Sequence, residues 1–371
     1  MKIPLVDLRA QYNSIKSEID TALQEIINSS QFILGEPVEK FEQELAQLCR
    51  TQHAVGTSSG TSALFLALKA YGIGPGDEVI TVPNSFIATV SSIIHVGATP
   101  VFVDVDKDTL LMDPSLIEKA ITSKTRAILP VHLYGQVCEM DKILEIASKH
   151  NLFVIEDAAQ AIDSEYKDRK IPLGDTAIFS FFPAKNLGAY GDAGAVVTKD
   201  KKIADMIRKL RNHGRISKYE SDTLGYGARL DALHAAILRV KMKHIGRWSE
   251  LRNKHAAVYS NLLQEVPGLK VPTVKTGNKH VFHLYVIESE RREQLKKELN
   301  ANGIGAEIHY PLPLHLQPAL KYLGHKEGDF PVTENAAKKI LSLPMYPELP
   351  EATLRQVVEA VKRALKIEAK Q

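Results

Sequence analysis

Leu152-Phe-Val-Ile-Glu-Asp-Ala-Ala-Gln160 is the stretch that decides the fold. Residues 152–156 form a short apolar, β-branched run, the composition of a strand covered on both faces, as strands of a parallel sheet are. Upstream of it, strand and helix patterns alternate. A strand runs into Gly56 and a buried helix covers 61–70; strands at 78–82, 100–105 and 126–133 are each followed by a helix, at 85–96, 114–121 and 140–150. Downstream, 177–181 and 194–198 supply two more strands. Seven strands interleaved with helices predict an α/β chain built on a mostly parallel seven-stranded sheet.

From 230 to 263 a helical pattern runs on without a proline, long enough to bridge two domains. Beyond it, a strand at 281–287, a helix at 292–301, a segment at 305–310 and a last helix at 351–369 predict a compact second α/β unit. The expected division is a large domain over 1–240 and a small one over 241–371, starting within the connecting helix. A chain of 371 residues, 44% hydrophobic and 25% charged, has room for both. The net charge of +3 is small and its cations are scattered; Lys362, Arg363, Lys366 and Lys370 alternate with apolar residues on the final helix. Nucleic-acid binding would need a clustered basic patch, so none is expected. No apolar run approaches the roughly 20 residues of a membrane helix, and Asp7 and Arg9 break the first apolar stretch, against a secretory signal. Two distant cysteines, Cys49 and Cys138, argue against a disulfide framework or a cysteine zinc site and for a reducing cytoplasm. No metal site is expected.

Three segments carry chemistry, each where a strand gives way to a loop or helix start, the edge at which open α/β sheets bind ligands. In Gly56-Thr-Ser-Ser-Gly-Thr-Ser-Ala-Leu64 a glycine- and hydroxyl-rich turn opens directly into a helix. The free N–H groups and positive dipole of that helix start suit a phosphate, although a plain helix cap by Ser59 or Thr61 would read the same way. No lysine follows the second glycine, so it is not a nucleotide P-loop. In Val154-Ile-Glu-Asp-Ala-Ala-Gln160 a buried strand delivers Asp157 at its carboxyl end. Alone, Asp157 would be read as the cap of the next turn; a buried carboxylate needs a cation or several donors. A protonated pyridine nitrogen is one such cation, and its protonation is what makes a pyridoxal ring an electron sink. In the third segment, residues 177–195, Ser180 sits on a strand, Lys185 follows five residues later, and a glycine-rich turn comes next. A lysine in such a half-buried place loses its proton more readily, which favours attack on an aldehyde. Together the three segments supply a phosphate anchor, a ring-nitrogen partner and a Schiff-base lysine.

Six segments in this order resemble the DegT/DnrJ/StrS family of sugar aminotransferases, over nearly the whole chain: Phe32-Ile-Leu-Gly35, Ser59-Gly-Thr61, Glu156-Asp-Ala-Ala-Gln160, Phe179 to Lys185 with Asn186-Leu-Gly188, Arg229-Leu-Asp231 and His309-Tyr-Pro311. The resemblance implies fold-type-I architecture and pyridoxal 5′-phosphate, passing through its pyridoxamine form, as cofactor. It implies that Lys185 is catalytic, holding the cofactor as a Schiff base and shuttling protons. Asp157 would pair with the pyridine nitrogen, Gln160 with the ring hydroxyl, and Gly60, Thr61 and Ser180 with the phosphate. Phe86, in Pro83-Asn-Ser-Phe86, would stack on the ring; its alternative is core packing at a helix start. His309 and Tyr310 would face the sugar, although His309 could equally cap a strand end. Lys218, in Gly214-Arg-Ile-Ser-Lys-Tyr219, would suit the diphosphate or sugar, or be simply solvated.

The implied reaction moves the amine of L-glutamate to a keto carbon of a nucleotide-linked sugar. Dehydratase relatives carry histidine in place of the lysine, so Lys185 favours transamination. Residues 307–318 look most like members acting at C3, on dTDP-3-keto-6-deoxyhexoses or UDP-linked 3-keto uronic acids; a 4-keto sugar or a cyclitol is the alternative. A sensory protein that kept the fold and lost catalysis is a further reading, against which stand intact Lys185, Asp157 and Ser180. The family also implies a homodimer with active sites at the interface, helped by the 230–263 helix and Arg229. Four positions depart from the family pattern. Gly227 stands where asparagine reaches the partner's phosphate, His234 where glutamine is usual, Phe182 where tyrosine is frequent, and Ala161-Ile-Asp-Ser164 where His-Gly is common.

Overall fold

The computed structural model describes residues 2–366; positions 367–369 of the expected last helix, and Lys370, lie outside the described residues. Seven strands form one sheet: β1 (His53–Thr57), β2 (Glu78–Thr81), β3 (Thr99–Phe102), β4 (Thr125–Ile128), β5 (Phe153–Asp157), β6 (Thr176–Ser180) and β7 (Gly194–Thr198). Their spatial order is β1-β7-β6-β5-β4-β2-β3. Only β7 runs antiparallel to its neighbours; the other pairings are parallel. The sheet is thus mostly parallel, as the alternating pattern predicts. Every residue of β7 and the last four of β5 are buried, because helices such as Gly60–Ala70 and Met140–His150 cover the two faces.

This topology brings β1, β2, β5 and β6 to their carboxyl ends along one edge. The antiparallel β7 starts at that same edge, with Gly194 opposite both Thr57 and Ser180. A Cβ on Gly194 would lie 2.3 Å from the Ser59 carbonyl oxygen, so only glycine lets β7 pass beneath the turn that starts helix Gly60–Ala70.

Residues 230–263, expected as one helix, form two, Ala232–Met242 and Ile245–Leu263. The Lys243 and His244 N–H groups turn back to carbonyls three residues earlier, on Val240 and Lys241, and Gly246, a poor helix former, follows. Residues 114–121 are a 3₁₀ turn, Pro114–Leu116, and one α-turn, Ile117–Ala120. The strand expected at 126–133 ends at Ile128, and that at 281–287 becomes β9 (Tyr285–Ser289), after β8 (Leu269–Lys270). Residues 281–284 make no ladder because their backbone is engaged elsewhere: Val281 N–H donates to Gly135, and Arg252 donates to the Phe282 and His283 carbonyls. Residues 305–310 contribute one bridge, Glu307 to Ser342. β9 is central in a three-stranded sheet with β8 and β10 (Ile340–Leu343). A second core lies there, with Tyr259, Tyr285, Leu341 and Val361 buried. Among the described residues no helix is long and apolar enough to cross a membrane.

Candidate active site

A cavity of about 470 Å³ opens at the carboxyl edge of the sheet. Gly60, Thr61, Phe86, Asp157, Gln160, Ser180, Lys185, His309 and Tyr310 all line it. Residues spread over 250 positions of sequence meet there because parallel strands end together. Lys218 does not line it: it is exposed, with Nζ 5.3 Å from the Tyr219 ring centre.

The helix Gly60–Ala70 forms one wall. Ser59 caps it reciprocally with Ser62: Ser59 Oγ accepts from the Ser62 N–H (3.0 Å), and Ser62 Oγ from the Ser59 N–H (2.9 Å). The helix-cap reading therefore holds, and it leaves room for a phosphate. The cap uses the N–H groups of residues 59 and 62 and leaves those of Gly60 and Thr61 without a protein acceptor among the described residues. A Cβ on Gly60 would sit 2.7 Å from Ser180 Cβ, so glycine here brings the two free N–H groups beside the Ser180 hydroxyl. Two amides, a hydroxyl and a helix dipole make a cradle for a phosphate.

Asp157 ends β5 and is 5% exposed. Its carboxylate accepts from Thr89 Oγ1 (2.8 Å) and the Ala159 N–H (3.2 Å); Thr89 in turn bonds Ser85 Oγ at 2.7 Å. Burial raises the Asp157 pKa, opposed by those two donors, Lys185 and His132. A carboxylate so buried, with donors but no cation bonded to it, is suited to a cationic partner entering the cavity. Behind it, the fully buried Glu156 accepts from His132 Nε2 (2.8 Å) and the Leu173 and Gly174 N–H groups. The Cys138 N–H donates to His132 Nδ1 (3.2 Å), so the ring proton lies on Nε2, toward Glu156.

Lys185 is half-buried, with no hydrogen bond or ion pair to its ammonium among the described residues. Burial pulls its pKa down to about 8, against the opposing pull of Asp157, which leaves a useful neutral fraction near neutral pH. Its loop is pinned from below: the fully buried Lys241 donates to the Gly188 carbonyl (2.7 Å) and Gln11 Oε1 (2.8 Å).

The opposite wall is aromatic and polar. Phe86 is 53% exposed, its ring 5.8 Å from that of Tyr310, so it faces the cavity and not the core. Gln160 Oε1 accepts from the Tyr134 N–H (2.6 Å), and its Nε2 points to Tyr310 Oη at 3.4 Å. His309 Nδ1 pairs with Ser342 Oγ (2.9 Å). Burial, then the charge on Lys185, pulls the His309 pKa to about 4, and burial pushes Tyr310 up to about 12. Both are neutral at physiological pH.

Among the cavity residues that the sequence does not single out are Thr89, His132, Asp192 and His283. His283 is buried, and its Nδ1–H donates to Asn186 Oδ1 (3.3 Å), whose amide is fixed by donation to the Val281 carbonyl (3.0 Å). Burial lowers its pKa well below the usual range. Its only local signal was a place in an apolar run. At the departures, His234 packs on Gly191, where a Cβ would come 2.7 Å from Nε2, and Gly227 lies against His213.

These residues fit pyridoxal phosphate: a phosphate cradle, a buried carboxylate for a ring cation, an amide beside it, and an unpaired lysine, all in one cavity. The profile of the DegT/DnrJ/EryC1/StrS aminotransferase family matches residues 13–362. The pleiotropic regulatory protein of Geobacillus stearothermophilus is 50% identical over 97% of this chain and 98% of its own. The dTDP-3-amino-3,4,6-trideoxy-α-D-glucose transaminase of Streptomyces venezuelae is 44% identical over 97% and 96%. The UDP-N-acetyl-3-dehydro-α-D-glucosamine 3-aminotransferase of Acidithiobacillus ferrooxidans is 44% identical over 98% of both. Among solved structures, S. venezuelae DesV in complex with a ketimine intermediate superposes with TM-score 0.97 at 43% identity, over 98% of this chain and 99% of that one. NtdA of Bacillus subtilis with bound cofactor PMP gives 0.91 at 32% identity, over 98% and 85%.

Proposed function

This chain belongs to the DegT/DnrJ/EryC1/StrS aminotransferase family and is a pyridoxal-phosphate-dependent aminotransferase; we propose that it moves the amine of L-glutamate to C3 of a nucleotide-linked keto sugar, such as a dTDP-3-keto-6-deoxyhexose. The observation that carries the reading is Lys185, without a partner among the described residues, in one cavity with buried Asp157 and with the Gly60 and Thr61 amides, which likewise have no acceptor among them. The choice of C3 is supported by the names of two relatives at 44% identity, which share that position while differing in nucleotide. A UDP-linked 3-keto sugar is accordingly the second reading.

Bound pyridoxal phosphate supplies an aldehyde that can carry an amine and a ring that withdraws electrons. The chain's residues do the rest. Gly60, Thr61 and Ser180 would hold the phosphate, Gln160 would bond the ring hydroxyl, and Phe86 would lie against the ring. The Asp157 carboxylate would favour a proton on the ring nitrogen, and that cation would return the charge compensation burial denies it. Lys185 Nζ, whose pKa burial lowers to about 8, would act as the base that takes the proton from the donor's α-carbon and as the acid that delivers one to the sugar carbon. His309 and Tyr310, both neutral, offer hydrogen bonds to the sugar. The chain forms a homodimer with its sites at the interface; Phe182 at 53%, Tyr219 at 87% and Leu224 at 93% exposure give it apolar surface to cover, and Lys218 on the same loop as Tyr219 would reach a diphosphate.

The test is absorbance followed by product mass. L-Glutamate should shift the loaded protein's band from about 400–430 nm toward about 330 nm, and a dTDP-3-keto-6-deoxyhexose should restore it and appear as the amine. If UDP-3-keto sugars alone restore it, the second reading stands. If no keto sugar does, the nucleotide-sugar reading fails.

A further inference from the structure

Tyr134 lies outside the cavity lining, yet each of its polar groups reaches a segment that forms the wall. Its N–H donates to Gln160 Oε1 (2.6 Å), its carbonyl accepts from the Leu284 N–H (3.4 Å), next to His283, and its hydroxyl donates to the His309 carbonyl. The next residue extends the junction: the Gly135 carbonyl accepts from the Val281 N–H (3.0 Å) and Ser164 Oγ (3.0 Å). Tyr134 is 6% exposed and holds φ 61°, ψ −3°, a left-handed conformation that a bulky non-glycine residue adopts only when its surroundings enforce it. Gly135 has no room for a side chain, since a Cβ would meet Val281 Cγ2 at 2.9 Å and the His283 nitrogen at 3.1 Å.

We propose that Tyr134 is a positioning residue that joins the cofactor side of the cavity to its acceptor side, setting Gln160 through its backbone and the His309–Tyr310 wall through its hydroxyl. With Oε1 of Gln160 engaged by an N–H, the amide has one orientation, and Nε2 must face the cavity and Tyr310. The hydroxyl fixes the carbonyl of His309, the residue whose ring and following tyrosine face the acceptor. Burial raises the pKa of Tyr134, so this donor persists at any working pH. The two functions are separable, because the backbone contact survives loss of the hydroxyl.

The inference rests on the acceptor reading above, and Tyr134→Phe tests it. The variant keeps the ring, the backbone and the bond to Gln160, and loses the hydroxyl's contacts, with the His309 carbonyl and the Asn84 side chain. Expected are a thermal midpoint close to wild type and a glutamate half-reaction within about twofold. KM for the dTDP-3-keto-6-deoxyhexose should rise about 3- to 10-fold, the range of one lost hydrogen bond. In the unloaded protein, amide hydrogen exchange at 307–312 should quicken by a similar factor. Loss of fold, or an equal fall in both half-reactions together with the midpoint, would make Tyr134 merely structural and overturn the proposal; so would unchanged exchange at 307–312. If wild type and variant both ignore keto sugars, the acceptor reading fails by itself, and the exchange arm still decides whether Tyr134 holds this wall.

Discussion

Replacing Lys185 with methionine should stabilise the unloaded protein. The wild-type ammonium stands half-buried with no partner among the described residues, and its folded-state pKa falls from an ordinary lysine's 10.5 to about 8. At 1.36 kcal/mol per pH unit, that difference costs the folded state about 3 kcal/mol. Water reaching the half-buried group screens part of this, and about 1–2 kcal/mol is expected at pH 7. Methionine of similar length fills the same space without charge. The pH dependence gives the sign. Below pH 8 both folded and unfolded wild type hold the proton, and the penalty is constant. Between 8 and 10.5 the folded state has released its proton and the unfolded state has not, so the unfolded state binds more protons and wild-type stability rises with pH. Above 10.5 the penalty is gone. Urea unfolding of both proteins from pH 7 to 10.5, at one protein concentration, reads the gap between them, which cancels the titration of other groups. A variant less stable than wild type at pH 7, or a gap that does not narrow across this window, would refute the claim that Lys185 is held as a strained cation waiting for an aldehyde.

Three further outcomes follow from the same geometry. Asp157→Asn should cut transamination at least ~100-fold, as expected for loss of a charge aimed at the reacting system; the unloaded variant should melt close to wild type, since Thr89 Oγ1 can turn to accept from the new amide. Gly60→Ala should weaken uptake of the cofactor, read by absorbance titration, by roughly 10-fold or more, because its Cβ would force Ser180 away from 2.7 Å. Phe86→Ala should change unloaded stability by less than about 0.5 kcal/mol, as for an exposed side chain, while its loaded form loses the cofactor faster on dilution; a large stability loss would mean that Phe86 belongs to the core.

The sheet was legible because its signals are local. Strands 152–156 and 194–198 are apolar runs bounded by turns, and the structure finds them at Phe153–Asp157 and Gly194–Thr198. Lys185, Asp157 and Ser180 could be read for the same reason, since each sits at or just past the end of a strand. The misjudged segments share another cause. Residues 281–287 carry a strand pattern, but the backbone of 281–284 bonds to Tyr134, Gly135, Asn186 and Arg252, none of them near in sequence. The helix at 230–263 has no proline, but His244 is bonded to Glu18 and stacked on Trp248 where the helix breaks.

That division runs through the site itself. Of the groups proposed to hold the amine and the ring, Asp157, Ser180, Gly60 and Thr61 project from the ends of β5 and β6 and the start of helix Gly60–Ala70, and Lys185 from the loop after β6 that Lys241 pins. The wall proposed to face the acceptor is built from irregular backbone at 131–136, 281–284 and 309–310, held by bonds such as Gly135–Ser164, 29 positions apart, and Tyr134–His309, 175 apart. Irregular backbone can be reshaped by a few substitutions without disturbing the sheet. A relative aminating a dTDP sugar and one acting on a UDP sugar are each 44% identical to this chain, consistent with a constant amine-handling half and a variable acceptor half. The proposed reaction type thus rests on local patterns, whereas the proposed acceptor wall rests on long-range contacts such as those of Tyr134.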